Sequence, residues 1–115
     1  MSNVEKQFHG AIKAMNGGKL DEAERLFKTI LRTQPNHVAT LNLLTAVLMS
    51  MERHAEAETF ISKAVRLNAG SDVSYYNYGL ISKKLGKSRH ALEQFSTVLR
   101  ISDCRNAQVP RQIPV

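Results

Sequence analysis

The sequence is poor in the features on which secreted and membrane-spanning proteins depend. A single cysteine, Cys104, occurs among 115 residues, so no disulfide can form within the chain and a reducing compartment is favoured. The longest uninterrupted apolar segment, 46–49, is far too short to cross a bilayer, and no signal peptide is visible after the first residues. We therefore expect a cytoplasmic protein that has no membrane partner.

Tryptophan is absent, and aromatic residues make up only 6% of the chain. Hydrophobic residues at 43% and charged residues at 23% are nevertheless ordinary proportions for a soluble globular protein and argue against a disordered one. The length suits one domain and argues against a multidomain enzyme. Lys and Arg number 16 against 10 Asp and Glu, and the net charge of +6 weakly favours anionic partners.

No arrangement of side chains typical of catalysis or metal binding occurs. The histidines are dispersed, never stand at the spacing of metal ligands, and are interpreted as surface or turn residues; they are His9, His37, His54 and His90. The segment 17–19, Gly-Gly-Lys, lacks the earlier glycine and the following Ser or Thr of a phosphate-binding loop. The sequence therefore predicts no enzymatic activity, no metal site and no cofactor.

An internal repeat organises the chain. Small residues recur at equal intervals, at Ala23, Ala57 and Ala91, which sets a constant 34-residue period. Bulky residues keep the same period one helical turn later, at Phe27, Ile61 and Phe95. A fixed period of this length is the signature of stacked structural repeats, each too small to bury its own apolar surface.

Each repeat is predicted to be a pair of helices. Apolar residues follow a helical stripe around each of the anchoring alanines, and a second stripe precedes it, at Leu41, Leu44 and Leu48 in the middle repeat. Glycines separate the two stripes in the first and third repeats, where a left-handed residue would end a helix. The third repeat is expected to end at 102–103. The predicted units are a lead-in at 1–3, helix pairs at 4–37, 38–71 and 72–105, and an irregular, proline-containing tail at 106–115.

The repeats resemble the tetratricopeptide repeat (TPR). The third copy carries the pattern in Tyr75, Tyr78, Gly79, Ser82, Ala91 and Phe95, and the first copy carries its second half in Gly18, Ala23, Phe27 and Pro35. The middle copy departs from the pattern. It has Thr45 where the pattern has a glycine in the first helix, and Glu52 where the pattern has a glycine in the turn. The resemblance covers about residues 4–105 and implies an all-α fold without β-sheet, a right-handed α-solenoid of three helix–turn–helix repeats.

In this family the first helices of successive repeats line a concave groove in which ligands bind, so the resemblance implies a scaffold for protein–protein interaction. The peptide-binding positions projected onto this chain are Phe8, Ile12, Met15, Asn42, Ala46, Met49, Tyr76, Asn77, Leu80, Lys83 and Lys84. The set is largely apolar and has a basic end. It favours a peptide with apolar anchors that is oriented by an acidic group near the two lysines. The alternative is that the methionines are packing residues and the lysines a solvated surface.

Two known modes of groove binding in the family are not matched by these residues. The clamp for the acidic tails of heat-shock chaperones uses Lys, Asn and Arg, whereas the matching positions are Phe8, Ile12, Leu43, Val73 and Asn77. The asparagine ladder of protein glycosyltransferases would fall on His9, Leu43 and Asn77, and keeps one asparagine. Neither mode is expected here.

Two other functional classes stay open. The chain could be the regulatory or substrate-recruiting part of a larger enzyme, such as a glycosyltransferase. The third class is nucleic-acid binding through the basic C-terminal third, which contains Lys83, Lys84, Lys87, Arg89, Arg100, Arg105 and Arg111. A scattered, solubilising charge is favoured over it, because Lys83 and Arg100 are predicted on different helices.

The outer side of the last helix pair is predicted to lack a covering partner. Repeat arrays usually end in a polar cap, and nothing at the C-terminus resembles one. Leu99 and Ile101 are therefore expected to be bare unless something covers them. The tail residues Val109, Ile113 and Val115 could fold back, a second chain could pair to form a homo-oligomer, or the array could continue in a longer protein.

Overall fold

The computed structural model describes the backbone of residues 3–108 and the side chains of residues 3–104. Within these ranges the chain consists of six α-helices and no β-strand. The helices are α1 (Asn3–Asn16), α2 (Leu20–Thr33), α3 (Val38–Ser50), α4 (His54–Leu67), α5 (Asp72–Lys84) and α6 (Ser88–Gln108). The all-α expectation is therefore confirmed, with two helices in each 34-residue repeat.

The turns inside the three helix pairs share one backbone conformation. Gly18 and Gly86 have φ angles of 78° and 79°, as expected for the left-handed residue that ends a helix. Glu52 holds the matching position of the middle repeat and has a φ angle of 61°. The middle repeat therefore makes the same turn without glycine. The left-handed conformation is unfavourable for a residue that has a β-carbon, so Glu52 destabilises this turn relative to glycine.

The core runs through all three repeats. Ala23 and Ala57 are fully buried and Ala91 is nearly so, as expected for positions where two helices approach closely. The bulky residues one turn later are buried at Phe27 and Ile61, but Phe95 is only half-buried. The third pair is less enclosed because no described element packs on the outer side of α6.

Helices pack mainly against their neighbours in sequence, and α3 also contacts α5. The first helices of the second and third repeats therefore lie beside one another, and the helix pairs stack into a short solenoid about 54 Å long. The residue before α3 and the residue before α5 each cap the N-terminus of the following helix with a side chain, and the two residues are one repeat apart. His37 Nδ1 accepts a hydrogen bond from the Thr40 backbone N–H at 3.3 Å, and Ser71 Oγ accepts one from Ser74 N–H at the same distance.

An ion pair repeats at both junctions between helix pairs. Arg53 Nη1 lies 2.7 Å from Glu24 Oε1, and Lys87 Nζ lies 2.8 Å from Glu58 Oε2. In each case a carboxylate on the second helix of one repeat meets a cation in the intra-pair turn of the next. The acid and the base are 29 residues apart in both pairs.

The first of these junctions is extended into a four-residue network. Lys28 Nζ donates to Glu24 at 2.7 Å and to Glu56 at 2.9 Å, and Arg53 Nε donates to Glu56 at 3.0 Å. Hydrogen bonds from Arg53 and then Lys28 lower the pKa of Glu24, and those from Lys28 and then Arg53 lower the pKa of Glu56. Both carboxylates are therefore held in their charged form.

The last helix is longer than predicted. We expected the third repeat to end at 102–103 and residues 106–115 to be irregular, but α6 continues to Gln108. No glycine or proline occurs between Ser88 and Gln108, so nothing interrupts the helix before the residue that precedes Pro110, where a helical backbone is disfavoured. Residues 109–115 lie outside the described residues, and so does the fold-back of the tail that was one of the three alternatives for covering the last pair. Over residues 3–108, none of the helices combines the length and the apolar character of a bilayer-spanning segment.

Candidate functional site

The predicted groove residues all lie on the first helices of the pairs. Phe8, Ile12 and Met15 are on α1, Asn42, Ala46 and Met49 are on α3, and Tyr76, Asn77, Leu80, Lys83 and Lys84 are on α5. None is fully buried: Tyr76 and the two lysines are exposed and the others are half-buried. On the same helices, Ala11, Leu44 and Ile81 are fully buried or nearly so. Each first helix therefore has a buried face and a second, partly exposed face that carries the predicted residues.

The two aromatic residues of the groove set pack on aromatic residues of second helices. The Phe8 ring lies 6.2 Å from the Phe27 ring, and the Tyr76 ring lies 5.9 Å from the Phe95 ring. Both pairs occupy the same positions in their repeats. Phe8 also contacts His37 at 5.4 Å, so more of its surface is used in packing than that of Tyr76, which is 51% exposed.

Asn42 joins two of the first helices. Its Oδ1 accepts a hydrogen bond of 2.9 Å from Ser74 Oγ, which links α3 to α5. The Asn42 amide nitrogen makes no hydrogen bond within the described part of the chain, so it can donate to a ligand. This residue therefore combines a structural contact between two helices with a place on their partly exposed face.

The methionines contribute both to packing and to the exposed face. Ile12, Met15 and Met49 contact the buried core but remain half-buried rather than enclosed. The alternative that they are packing residues is therefore correct in part. Half-exposed thioether side chains can also adapt to apolar groups of different shape.

The basic end of the groove is formed by two lysines in the last turn of α5. Lys83 and Lys84 are exposed, and neither makes an ion pair among residues 3–104. Lys87 differs, because a hydrogen bond to Glu58 engages its ammonium group and raises its pKa. Arg100 donates to Thr97 Oγ1 at 3.0 Å on α6. The described basic residues of the C-terminal third are therefore divided between α5, α6 and the turn that joins them, and Lys87 is already paired. The side chain of Arg105 and the whole of Arg111 lie outside the described residues.

The interpretation of all four histidines as surface or turn residues is wrong for His90. Its Nδ1 lies 2.7 Å from Ser82 Oγ, and its ring is 4.7 Å from the ring of Tyr78. Burial raises the pKa of the Tyr78 hydroxyl. These contacts join α5 to α6 in the third pair. In the described residues no group of His, Cys, Asp and Glu could hold a metal ion.

A family model described as the TT21 fifth ARM repeats domain matches residues 11–113. The chain belongs to this family of helical repeats. The TT21-type domain is built here from repeats of the TPR type, as the residues of the first and third copies indicated. The fold expected from the repeat period is thus confirmed by the family as well as by the helices.

Two curated relatives of the TT21-type domain are much longer than this chain. Human tetratricopeptide repeat protein 7B is 29% identical over 73% of the chain, and cellulose synthase operon protein C of Pseudomonas fluorescens (strain SBW25) is 31% identical over 84%. The chain spans 10% and 8% of their respective lengths.

Solved TPR structures share the fold of this TT21-type domain. The second TPR of Spaghetti (RPAP3), bound to the HSP90 peptide SRMEEVD, superposes with a TM-score of 0.83 at 17% identity, covering 87% of this chain and 93% of that one. MamA superposes with a TM-score of 0.86 at 16% identity, covering 90% and 61%. Identities this low establish a common fold and no more.

Proposed function

We propose that the chain is a non-enzymatic scaffold module that binds a peptide along the partly exposed face of α1, α3 and α5. The observation that carries the proposal is a band of half-buried apolar side chains that ends at two exposed, unpaired lysines. Apolar surface that remains accessible beside a few free polar groups is typical of recognition sites. The RPAP3 repeats, which share the fold, bind a peptide of HSP90.

The chemistry of the groove favours an apolar peptide with one acidic group. Met49 and Leu80 offer surface for apolar anchors, and the Lys83 and Lys84 ammonium groups would attract a carboxylate at one end. An acidic tail such as SRMEEVD fits less well, because apolar side chains stand at Phe8 and elsewhere in the groove where a carboxylate clamp needs cations or amides.

A display library of random 12-residue peptides tests the proposal and identifies a ligand in the same experiment. We expect the selected peptides to share two apolar residues and one Asp or Glu. Binding of a selected peptide should weaken at least tenfold in Lys83→Glu/Lys84→Glu and in Met49→Glu, and should not change in Lys19→Glu, whose side chain is exposed in a turn between α1 and α2. The SRMEEVD peptide serves as a second control and should bind more weakly than the selected peptides.

The two variants separate the parts of the proposal. Affinity that is unchanged in Met49→Glu would show that the peptide binds elsewhere. Affinity that is lost in Met49→Glu but unchanged in the double lysine variant would keep the groove and reject the acidic contact.

A recruiting role within a larger protein is the second candidate, and the small share of its curated relatives that the chain spans favours it. In that role the same groove would hold a segment of a substrate or of another domain.

We also propose a cytoplasmic location, which the single unpaired cysteine supports. Cell fractionation with an antibody to the chain would test it.

A further inference from the structure

One stripe of α6 is exposed from Arg89 to Asp103. Its residues follow one another at alternating steps of three and four, which places them on a single face of the helix; they are Arg89, Leu92, Ser96, Leu99 and Asp103. All five are exposed, and the two leucines are 67% and 66% accessible. Ile101, which was also expected to be bare, lies off this face and is half-buried. We call the five residues the α6 stripe. Exposed leucines flanked by charges are typical of a surface that another molecule covers.

The α6 stripe differs from the matching surface of the earlier repeats. Leu92 holds the position that Glu24 and Glu58 hold in the first and second repeats, where each carboxylate pairs with a cation of the following repeat. A leucine cannot make that pair. The stripe is therefore unsuited to a following repeat that docks as the second and third repeats do.

The α6 stripe is nearly symmetric about its centre, except that one end is a cation and the other end is an anion. Ser96 is at its centre. Leu92 and Leu99 lie on either side of it, and Arg89 and Asp103 lie at the two ends. A helix with this pattern is complementary to an antiparallel copy of itself, because each end places a cation opposite an anion.

The flanks of the stripe obey the same symmetry. At about 100° per residue both leucines fall on one side of Ser96, while Glu93 and Arg100 fall on the other. In the antiparallel pair a twofold axis passes between the two Ser96 residues and is perpendicular to both helices. It places the leucine side of one helix against the leucine side of the other, and the charged side against the charged side. Leu92 then faces the partner's Leu99, and Glu93 faces the partner's Arg100.

We propose that two copies of the chain associate through an antiparallel pairing of their α6 helices, centred on Ser96. A parallel pairing would place Arg89 opposite the partner's Arg89 and Asp103 opposite the partner's Asp103, and like charges oppose it. A head-to-tail stack would bring Leu92 to the partner's Lys19, which holds the position of Arg53 and Lys87 in the first repeat. The antiparallel dimer is the arrangement in which every charged residue of the stripe meets an opposite charge.

Sedimentation velocity of the 115-residue chain between 2 and 400 µM tests the association. A single pair of helices is a small interface, so we expect a dissociation constant on the order of 1–100 µM and a concentration-dependent shift from 12.9 kDa towards twice that mass. Glu93→Arg and Arg100→Glu should each weaken the dimer at least tenfold. The double variant Glu93→Arg/Arg100→Glu exchanges the charges and should restore it, whereas the control Arg25→Glu on the exposed surface of α2 should have no effect.

Cysteine cross-linking tests the orientation. In the antiparallel dimer the two Ser96 residues are adjacent, so Ser96→Cys/Cys104→Ser should form a disulfide-linked dimer on oxidation. The native Cys104 residues would be about 24 Å apart along the helix axis and should not cross-link. A chain that stays monomeric at every concentration overturns the proposal, as does a dimer that the charge reversals leave unchanged. Cross-linking of Arg89→Cys/Cys104→Ser would also overturn it, because residue 89 meets its own equivalent in a parallel pair and lies about 21 Å from it along the helix axis in the antiparallel pair.

Discussion

Glu24 on the first repeat and Arg53 on the second form an ion pair at 2.7 Å that joins the two repeats across their junction. The Glu24 side chain is only 13% exposed, so this pair is better shielded from water than most surface ion pairs. The same contact recurs at the next junction between Glu58 and Lys87. Electrostatic contacts therefore accompany apolar burial at both junctions.

Replacement of Glu24 by Gln should make the stability of the chain less dependent on pH. Hydrogen bonds from Arg53 and Lys28 lower the pKa of Glu24 in the folded state below its ordinary value of 4.5. The stabilisation is therefore complete above about pH 4.5 and is lost as the pH falls through the lower, folded-state pKa. Urea unfolding at pH 7 should show a loss of about 1 kcal/mol in Glu24→Gln.

The same measurement at lower pH distinguishes this cause from a packing effect. As the pH falls from 5 to 3, the unfolding free energies of the wild type and Glu24→Gln should converge. A difference that is constant across this range would mean that the carboxylate charge is not the source of the stabilisation. Glu22→Gln, at an exposed residue of α2, is the matched control.

Glycine in place of Glu52 should stabilise the chain. The residue has a φ angle of 61°, which glycine adopts without the steric cost that a β-carbon incurs, and glycine already occupies the matching turns. We expect a gain of about 0.5–1 kcal/mol in thermal or urea unfolding. Glu52 also pairs with His54 Nε2 at 2.9 Å, so Glu52→Ala is measured in parallel to remove the carboxylate while retaining the β-carbon. A glycine variant no more stable than the alanine variant would contradict the prediction.

A methyl group at Gly79 should destabilise the third repeat. A β-carbon built there would lie 2.5 Å from Cε1 of Phe95, whose ring must then move away from Tyr76. Overpacking of this kind costs about 1–3 kcal/mol. The middle repeat has Thr45 and Ile61 at the two corresponding positions, so Gly79→Ala/Phe95→Ile should recover part of the loss. Equal destabilisation in the single and double variants would contradict a steric cause.

Loss of the His37 side chain should weaken the start of α3. Its Nδ1 accepts from the Thr40 backbone N–H, and its ring also packs on Phe8. His37→Ala should therefore cost about 1 kcal/mol in urea unfolding. His37→Ser keeps a capping oxygen of the kind found at Ser71 and should cost less. If serine and alanine prove equally destabilising, the ring contact rather than the cap supports this junction.

Much of the candidate groove could be placed from sequence, because the repeat period assigns each residue to a helix and a helical face. The prediction that Tyr76, Lys83 and Lys84 stand on the open face of α5 needed only the phase of the repeat and the family resemblance. The contacts that modify this face could not be derived in that way. Asn42 bonds to Ser74 on another helix, and a sequence period does not state which polar groups meet across two helices.

The repeated ion pair corresponds to a regular spacing in the sequence, which the repeat pattern alone did not identify as a contact. An acid precedes a base by 29 residues at Glu24 and again at Glu58, but a spacing of that size has meaning only once the repeats are stacked. His90 gave no such signal. Its contacts with Ser82 and Tyr78 depend on the distance between α5 and α6, which the repeat period does not specify.

The sequence by itself determined the number of helix pairs, their order and the position of their turns, because these depend on local periodicity and on backbone preferences that act within a few residues. Only the tertiary structure decided that Glu52 adopts a left-handed backbone and which charged residues meet between repeats. These features depend on side chains brought together from distant parts of the chain, or on a local cost that the stacked repeats offset. The burial of apolar surface supplies the free energy that offsets such a local cost, and this burial occurs only when the helices pack together.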